Sequence, residues 1–315
     1  MKLGLLTACL PWLSLDEVAA WASRTGYEAL EVAAWPTDRT HLHHAAHIDV
    51  AGFSRDDGEQ IRELLDRHGL TAAAVTYCDN NLHGDDQERD RIHRHLRDCI
   101  DAAAALGVPY VCTFIGRDVT RSVADNLKLA ERHLPPLVTY AGERGVRLLA
   151  ENCPMEGWHP DGYPGNLAYS PELWDWMFDL GFLLTYDPSH LPWLGIDPVD
   201  ALERALQRGM VAHVQAKDIE IDERMRTRYG VFGKTVGRTS PVDVGWWRYR
   251  VPGRGLLDWN RLIDTLYSAG YDGVVAVEHE DPVWGGTADK TKHGLQIAAH
   301  TLRPLILLEK PEPDA

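Results

Sequence analysis

VRLLAE, residues 146–151, is a short apolar run that ends on a carboxylate. FLLTYD (182–187) and VVAVE (274–278) repeat the arrangement, so Glu151, Asp187 and Glu278 hold comparable positions. Such a run reads as a strand buried on both faces of a parallel sheet. Its last residue then opens onto the carboxyl edge of the sheet, where α/β barrels carry their chemistry. Converging carboxylates repel one another unless a positive charge intervenes, and a divalent cation held by oxygen ligands is the simplest remedy. One such acid would be read as a helix cap or the partner of an Arg, but three at equivalent strand ends read as one metal site.

Outward from these runs the whole chain alternates apolar segments with amphipathic helical ones, the pattern of βα units on a parallel sheet. The expected strands are 2–7, 29–35, 71–78, 110–116, 146–153, 182–188, 211–218 and 273–280. Glycine closes the helical pattern before the next strand at Gly26, Gly69, Gly107, Gly145, Gly181 and Gly270. A left-handed cap at that place stops a helix. Eight units of this kind predict a single (β/α)8 TIM barrel over residues 1–308, with long loops at 36–53 and 222–255 over the mouth and a disordered tail at 309–315. No GxGxxG follows the first strand, which disfavours a nucleotide-binding open sheet.

A chain of 315 residues with 44% hydrophobic and 25% charged residues can bury one large core. The formal charge of −15 opposes binding to a polyanion, and the basic residues between Arg224 and Arg254 are interspersed with Asp222, Glu223 and Asp243, so no nucleic-acid partner is expected. The five cysteines show no CxxC spacing, and no apolar stretch reaches bilayer length. The expectation is a cytoplasmic protein with reduced thiols and no membrane partner.

Side chains alternate along a strand, so Arg147, Leu149 and Glu151 share a face, as do Thr185 and Asp187, and His213, Gln215 and Lys217. If these faces point inward, Glu151, Asp187, Glu278 and one polar residue of the seventh strand meet at the mouth. Oxygen ligands suit Mn²⁺ or Mg²⁺, whereas an imidazole among them lets Co²⁺ or Zn²⁺ compete. Trp12, Trp35, Trp158 and Trp193, near strand ends, either line a sugar-sized pocket or pack loops. His41, His43, His44 and His47 carry no metalloprotease spacing and read as a polar loop.

AEN at Glu151, DPSH from Asp187 to His190, HVQAKD from His213 to Asp218, VPGRG from Val251 to Gly255 and VEHED around Glu278 resemble the xylose-isomerase-like barrels. These are sugar phosphate isomerases and epimerases, with ketose 3-epimerases, inosose dehydratases and 3-keto-glycoside-processing C-deglycosidase subunits among the relatives. The resemblance implies one divalent metal on Glu151, Asp187, the strand-seven residue and Glu278, with His190 beside it. Relatives read HVHxKD and use the second His. This chain has Gln215 there, so either the Gln215 amide oxygen coordinates, the reading favoured here, or His213 moves in; with Gln215 the site is all-oxygen and biased to Mn²⁺ or Mg²⁺.

By the same resemblance Glu151 and Glu278 form the opposed acid/base pair, with Glu156 or His159 of the loop NCPMEGWHP as a further acid/base. His190, His213, Lys217, Trp12, Trp35 and Arg254 are the expected substrate contacts. Lys217 either holds a substrate oxygen or pairs with Asp218 or a barrel carboxylate. The implied activity is metal-dependent isomerisation or epimerisation of a sugar or keto-sugar through an enediolate, by a homo-oligomer. The alternative is a 3-keto-glycoside lyase or C-glycoside deglycosidase with a small second subunit, which the 222–255 insertion favours. An endonuclease IV-like nuclease is disfavoured by Gln215 and the acidic balance, and a non-catalytic barrel would follow if no metal bound.

Overall fold

The computed structural model describes residues 1–37, 45–155, 164–239 and 243–306. Among them ten strands form: β1 (Lys2–Leu6), β2 (Ala29–Ala33), β3 (Thr71–Thr76), β4 (Tyr110–Thr113), β5 (Arg147–Glu151), β6 (Leu183–Tyr186), β7 (Val211–Ala216), β8 (Asp218–Ile221), β9 (Trp247–Arg250) and β10 (Val274–Val277). Eight close into a parallel barrel in the order β1-β10-β7-β6-β5-β4-β3-β2, as the alternating pattern predicts. Glu151 is the last residue of β5, while Asp187 and Glu278 follow β6 and β10 directly, so all three stand on the carboxyl rim.

The caps explain why each turn falls where it does. Ser14 and Ser54 each accept from the backbone three residues on and are answered by Glu17 and Asp57, closing capping boxes at the starts of the first two long helices. At the other end of the helix Asp86–Leu106, Gly107 adopts φ 72°, the left-handed conformation its place in the sequence predicts. Apolar side chains from the outer faces of the strands and the inner faces of the helices merge into one core. The barrel interior is different: Glu31 on β2 touches His213 and Gln215 on β7, strands that are not neighbours, so polar side chains meet across the axis.

Two expectations need correction. Several barrel strands stop short of the apolar runs; β4 ends at Thr113 and β7 at Ala216, because the chain must turn outward at the rim. The segment 222–255 is not simply a loop. Its strand β9 pairs antiparallel with β8, Ile219 opposite Tyr249, and a short helix, Glu223–Tyr229, follows β8. The alternating WRYR pattern is the signal for β9, obscured by its Arg content. The proposed tail, 309–315, and the histidines at 41, 43 and 44 lie outside the described residues.

Asp218 holds this insertion to the barrel. Its carboxylate accepts from the backbone of Ile219, Gly253 and Leu257 and from Trp259 Nε1, all within 3.1 Å. Gly255 is required beside it, since a Cβ there would lie 2.1 Å from Asp218 Oδ1. Asp218→Ala leaves four donors without their acceptor and should destabilise the chain by about 2–4 kcal/mol. Urea unfolding checks this, and a midpoint unchanged from the parent would contradict it.

Candidate metal and active site

The rim is assembled from local constraints. Asn152, next to Glu151, donates to the carbonyl of Asp187 at 2.8 Å and accepts from its N–H at 2.7 Å, locking the ends of β5 and β6 together. Asp187 Oδ1 then accepts from Ser189 N at 2.8 Å and caps a turn of 3-10 helix, Pro188–His190. That turn swings His190 back over the rim, its Nε2 3.3 Å from Glu151 Oε1 and 3.1 Å from Asp187 Oδ2.

Glu151, Asp187 and Glu278 each offer an oxygen within 4.8 Å of the others. Lys217, 1% exposed, is driven into the same space by β7 and reaches Glu278 and Glu280 at 2.9 Å and Asp187 at 3.2 Å. The chain thus supplies part of the counter-charge itself, through the pairing with barrel carboxylates and not with Asp218. Burial alone would neutralise Lys217, but Glu278, Glu280 and Asp187 outweigh it and hold the ammonium well above its usual range. Burial would likewise raise Asp187, yet Lys217 and His190 keep its carboxyl below the ordinary carboxylate range. Burial would lower His190, and Cys153 and then Asp187 beside it hold it well up. For Glu278 burial prevails over Lys217, and its carboxyl is held well above the usual value. Four carboxyl groups thus gather around one ammonium and one imidazole, so acids outnumber the basic groups at the rim.

The donor set fits a divalent metal ion. Besides the three converging carboxylates, two buried oxygens, Asp187 Oδ2 and Gln215 Oε1, have no hydrogen-bond partner among the described residues; the contacts of Asp187 Oδ2 with His190 and Lys217 are ion-pair distances without hydrogen-bond geometry. Gln215 is 0% exposed and lies on the strand face that carries Lys217. His213 is not drawn into the acids; its Nε2 is 2.9 Å from Glu31.

The remaining expected residues divide. Trp35 is half-buried, its Nε1 donating to Cys78 O at 3.3 Å, and Cys78 Sγ in turn lies 3.8 Å from Glu151 Oε2. Trp12 is 46% exposed and Arg254 is exposed, with no side-chain hydrogen bond to the cluster among the described residues. Glu156, Trp158 and His159 lie outside the described residues. Trp193 stacks on Trp247 at 4.8 Å, and Trp247 meets Tyr249 at 5.0 Å. Tyr249 was missed by the sequence reading although it touches the site twice: its hydroxyl is 2.8 Å from His190 Nδ1 and its ring 4.5 Å from Lys217 Nζ. Glu31 was missed as well, although a charged residue inside the apolar run ALEVA was its signal.

Fold and rim together define an α/β barrel with an acidic, metal-capable mouth. The chain belongs to the xylose isomerase-like TIM barrel family, whose model matches residues 19–304. It is 26% identical over 301 residues to the uncharacterized protein YfiH of Bacillus subtilis (strain 168), covering 89% of this chain and 93% of that protein. A 100-residue stretch is 32% identical to the inosose dehydratase of Geobacillus thermodenitrificans (strain NG80-2), 31% of each chain. Similar solved folds include an IolI protein with a bound zinc atom, TM-score 0.67 at 17% identity, covering 97% of this chain and 98% of that one. A D-psicose 3-epimerase crystallised with D-fructose has a TM-score of 0.65 at 15% identity, covering 97% of this chain and 99% of that one. No helix among the described residues is long and apolar enough to cross a membrane.

Lys217→Met removes the buried ammonium while keeping most of its volume, and should cost the metal-free protein about 3–5 kcal/mol at pH 8. Between pH 5 and 8 the raised Lys217 of the parent protein stays charged, so its side of the ion pairs does not change there. Glu278, held high by burial, takes up a proton as pH falls and relieves the repulsion. The deficit should therefore shrink towards pH 5, and urea unfolding of both proteins showing equal deficits at pH 5 and pH 8 would contradict the charge account.

Proposed function

We propose that this chain is a metal-dependent sugar or keto-sugar isomerase or epimerase that removes a proton from a carbon next to a carbonyl and returns one to the resulting enediolate. The observation that carries the reading is the approach of two acids from strands separated by two others: buried Glu151 from β5 and half-buried Glu278 beyond β10, with oxygens within 4.8 Å of one another. The zinc-binding IolI fold and the epimerase fold, together with the inosose dehydratase relative, lend the reading further support.

Glu151, Asp187, Glu278 and Gln215 would hold the ion, and their oxygen character favours Mn²⁺ or Mg²⁺. Such an ion, when bound, supplies a positive charge that polarises the carbonyl and offsets the charge growing on its oxygen. One of Glu151 and Glu278 takes the proton and the other delivers it, which for an epimerisation must be on opposite faces of the carbon. His190, fixed by Tyr249, donates to substrate oxygen, and Lys217 gives up part of its contact with the acids to hold a second one. Trp193 stacks on Trp247 and Trp247 packs against Tyr249, which braces the side chain that touches His190 and Lys217.

The insertion, which reaches the rim through Tyr249, favours a second reading in which the abstracted proton is followed by elimination, expelling the aglycone of a 3-keto glycoside. Incubating the Mn²⁺-loaded protein in deuterated water with free ketoses and 3-keto glycosides separates the two. Label next to the carbonyl on an intact skeleton is the expected result, release of the aglycone identifies the lyase, and no exchange with any member overturns both. Glu151→Gln and Glu278→Gln should each lower turnover by at least about 10²-fold. Full activity in either variant would remove that residue from the chemistry.

A further inference from the structure

Inside the barrel, below the rim, lies a carboxylate that the proposed reaction does not use. Glu31 of β2 is 0% exposed and accepts from Thr76 Oγ1 at 2.5 Å, from His213 Nε2 at 2.9 Å and from Gln215 Nε2 at 3.1 Å. The register of β2 against β3 shifts between Leu30 and Glu31, an irregularity of the kind that re-aims a side chain. A carboxylate without a proton can only accept, so the amide of Gln215 has one orientation available, with Nε2 towards Glu31. The amide oxygen is thereby turned away and remains buried with no hydrogen-bond partner among the described residues. Buried amide oxygens are ordinarily paired, and one left in this state is a ligand atom awaiting a positive charge. Gln215 sits two residues before Lys217 on β7 and opposite Ala276 of β10, itself two residues before Glu278.

We propose that Glu31 is a positioning residue: by fixing the amide of Gln215 it presents Oε1 as the fourth oxygen ligand of the ion held by Glu151, Asp187 and Glu278, and so sets the preference of the site for oxygen-loving cations. This rests on the metal site proposed above. The arrangement does for an amide what a carboxylate does for a metal-binding imidazole, where the partner behind the ligand chooses which atom faces the metal. Glu31 acts only through Gln215, and its removal leaves the amide free to turn its nitrogen outward.

The test is Mn²⁺ binding to the metal-free full chain by titration calorimetry, which needs no substrate and no turnover. Glu31→Gln should weaken Mn²⁺ about 10–100-fold, and Gln215→Met, which has no oxygen to offer, should do the same. The double variant should bind no more weakly than Gln215→Met alone, because a residue acting through another has nothing left to act on. Wild-type affinity in Glu31→Gln, or a further equal loss in the Gln215→Met background, overturns the role of Glu31 while leaving the metal site intact. A folded wild-type protein that binds no Mn²⁺ overturns the metal site itself. Should Glu31→Gln fail to fold, Gln215→His carries the test: with one ring nitrogen donating to Glu31 and the other facing the ion, it should bind metal and move preference from Mn²⁺ towards Co²⁺ by at least about 10-fold. Loss of both ions, or an unchanged preference, overturns the proposal.

Discussion

The ammonium of Lys217, buried among Asp187, Glu278 and Glu280, is the interaction on which the rim depends. Two carboxylates at the separation of Glu151, Asp187 and Glu278 repel by about 3 kcal/mol or more at an effective dielectric near 20. A cation inside the cluster offsets that repulsion, and a proton on Glu278 is the other means of relieving it. One lysine and one imidazolium reduce that repulsion but leave it incompletely compensated. The metal-free fold can therefore stand, and the divalent ion proposed for this rim would still find charge to neutralise. Stability and binding are thus set by the same few groups.

The sequence made this rim readable because the acids end apolar runs, and a run of that kind has only one end facing the mouth. Glu151, Asp187 and Glu278 were legible for that reason, as was the barrel, whose repeats each carry their own glycine stop. Lys217 was legible as a residue of the inward face but not as the partner of three acids, since pairing across strands depends on barrel closure. Glu31 was harder still: its partners Thr76, His213 and Gln215 lie 45 to 184 residues away, and only closure brings β2 opposite β7. Tyr249 was hidden by the basic residues around it, which read as a solvated loop until β9 pairs with β8.

That small two-stranded sheet joins the insertion to the chemistry. Asp218, two residues beyond the end of β7, begins β8 and collects donors from the far end of the insertion, so the turn at 253–257 is tied to the start of β8. Tyr249, on the opposite strand, delivers its hydroxyl to His190 and its ring face to Lys217. Through Tyr249 the insertion therefore touches the same two side chains, His190 and Lys217, that face the barrel acids.

The measurement that tests this account most directly is anomalous diffraction at the manganese edge from crystals of the full chain grown with Mn²⁺. The account predicts one peak within about 2.5 Å of oxygens from Glu151, Asp187, Glu278 and Gln215, with Gln215 Nε2 still on Glu31. Crystals with no peak at the rim, or with an ion held there while Gln215 points elsewhere, would contradict it.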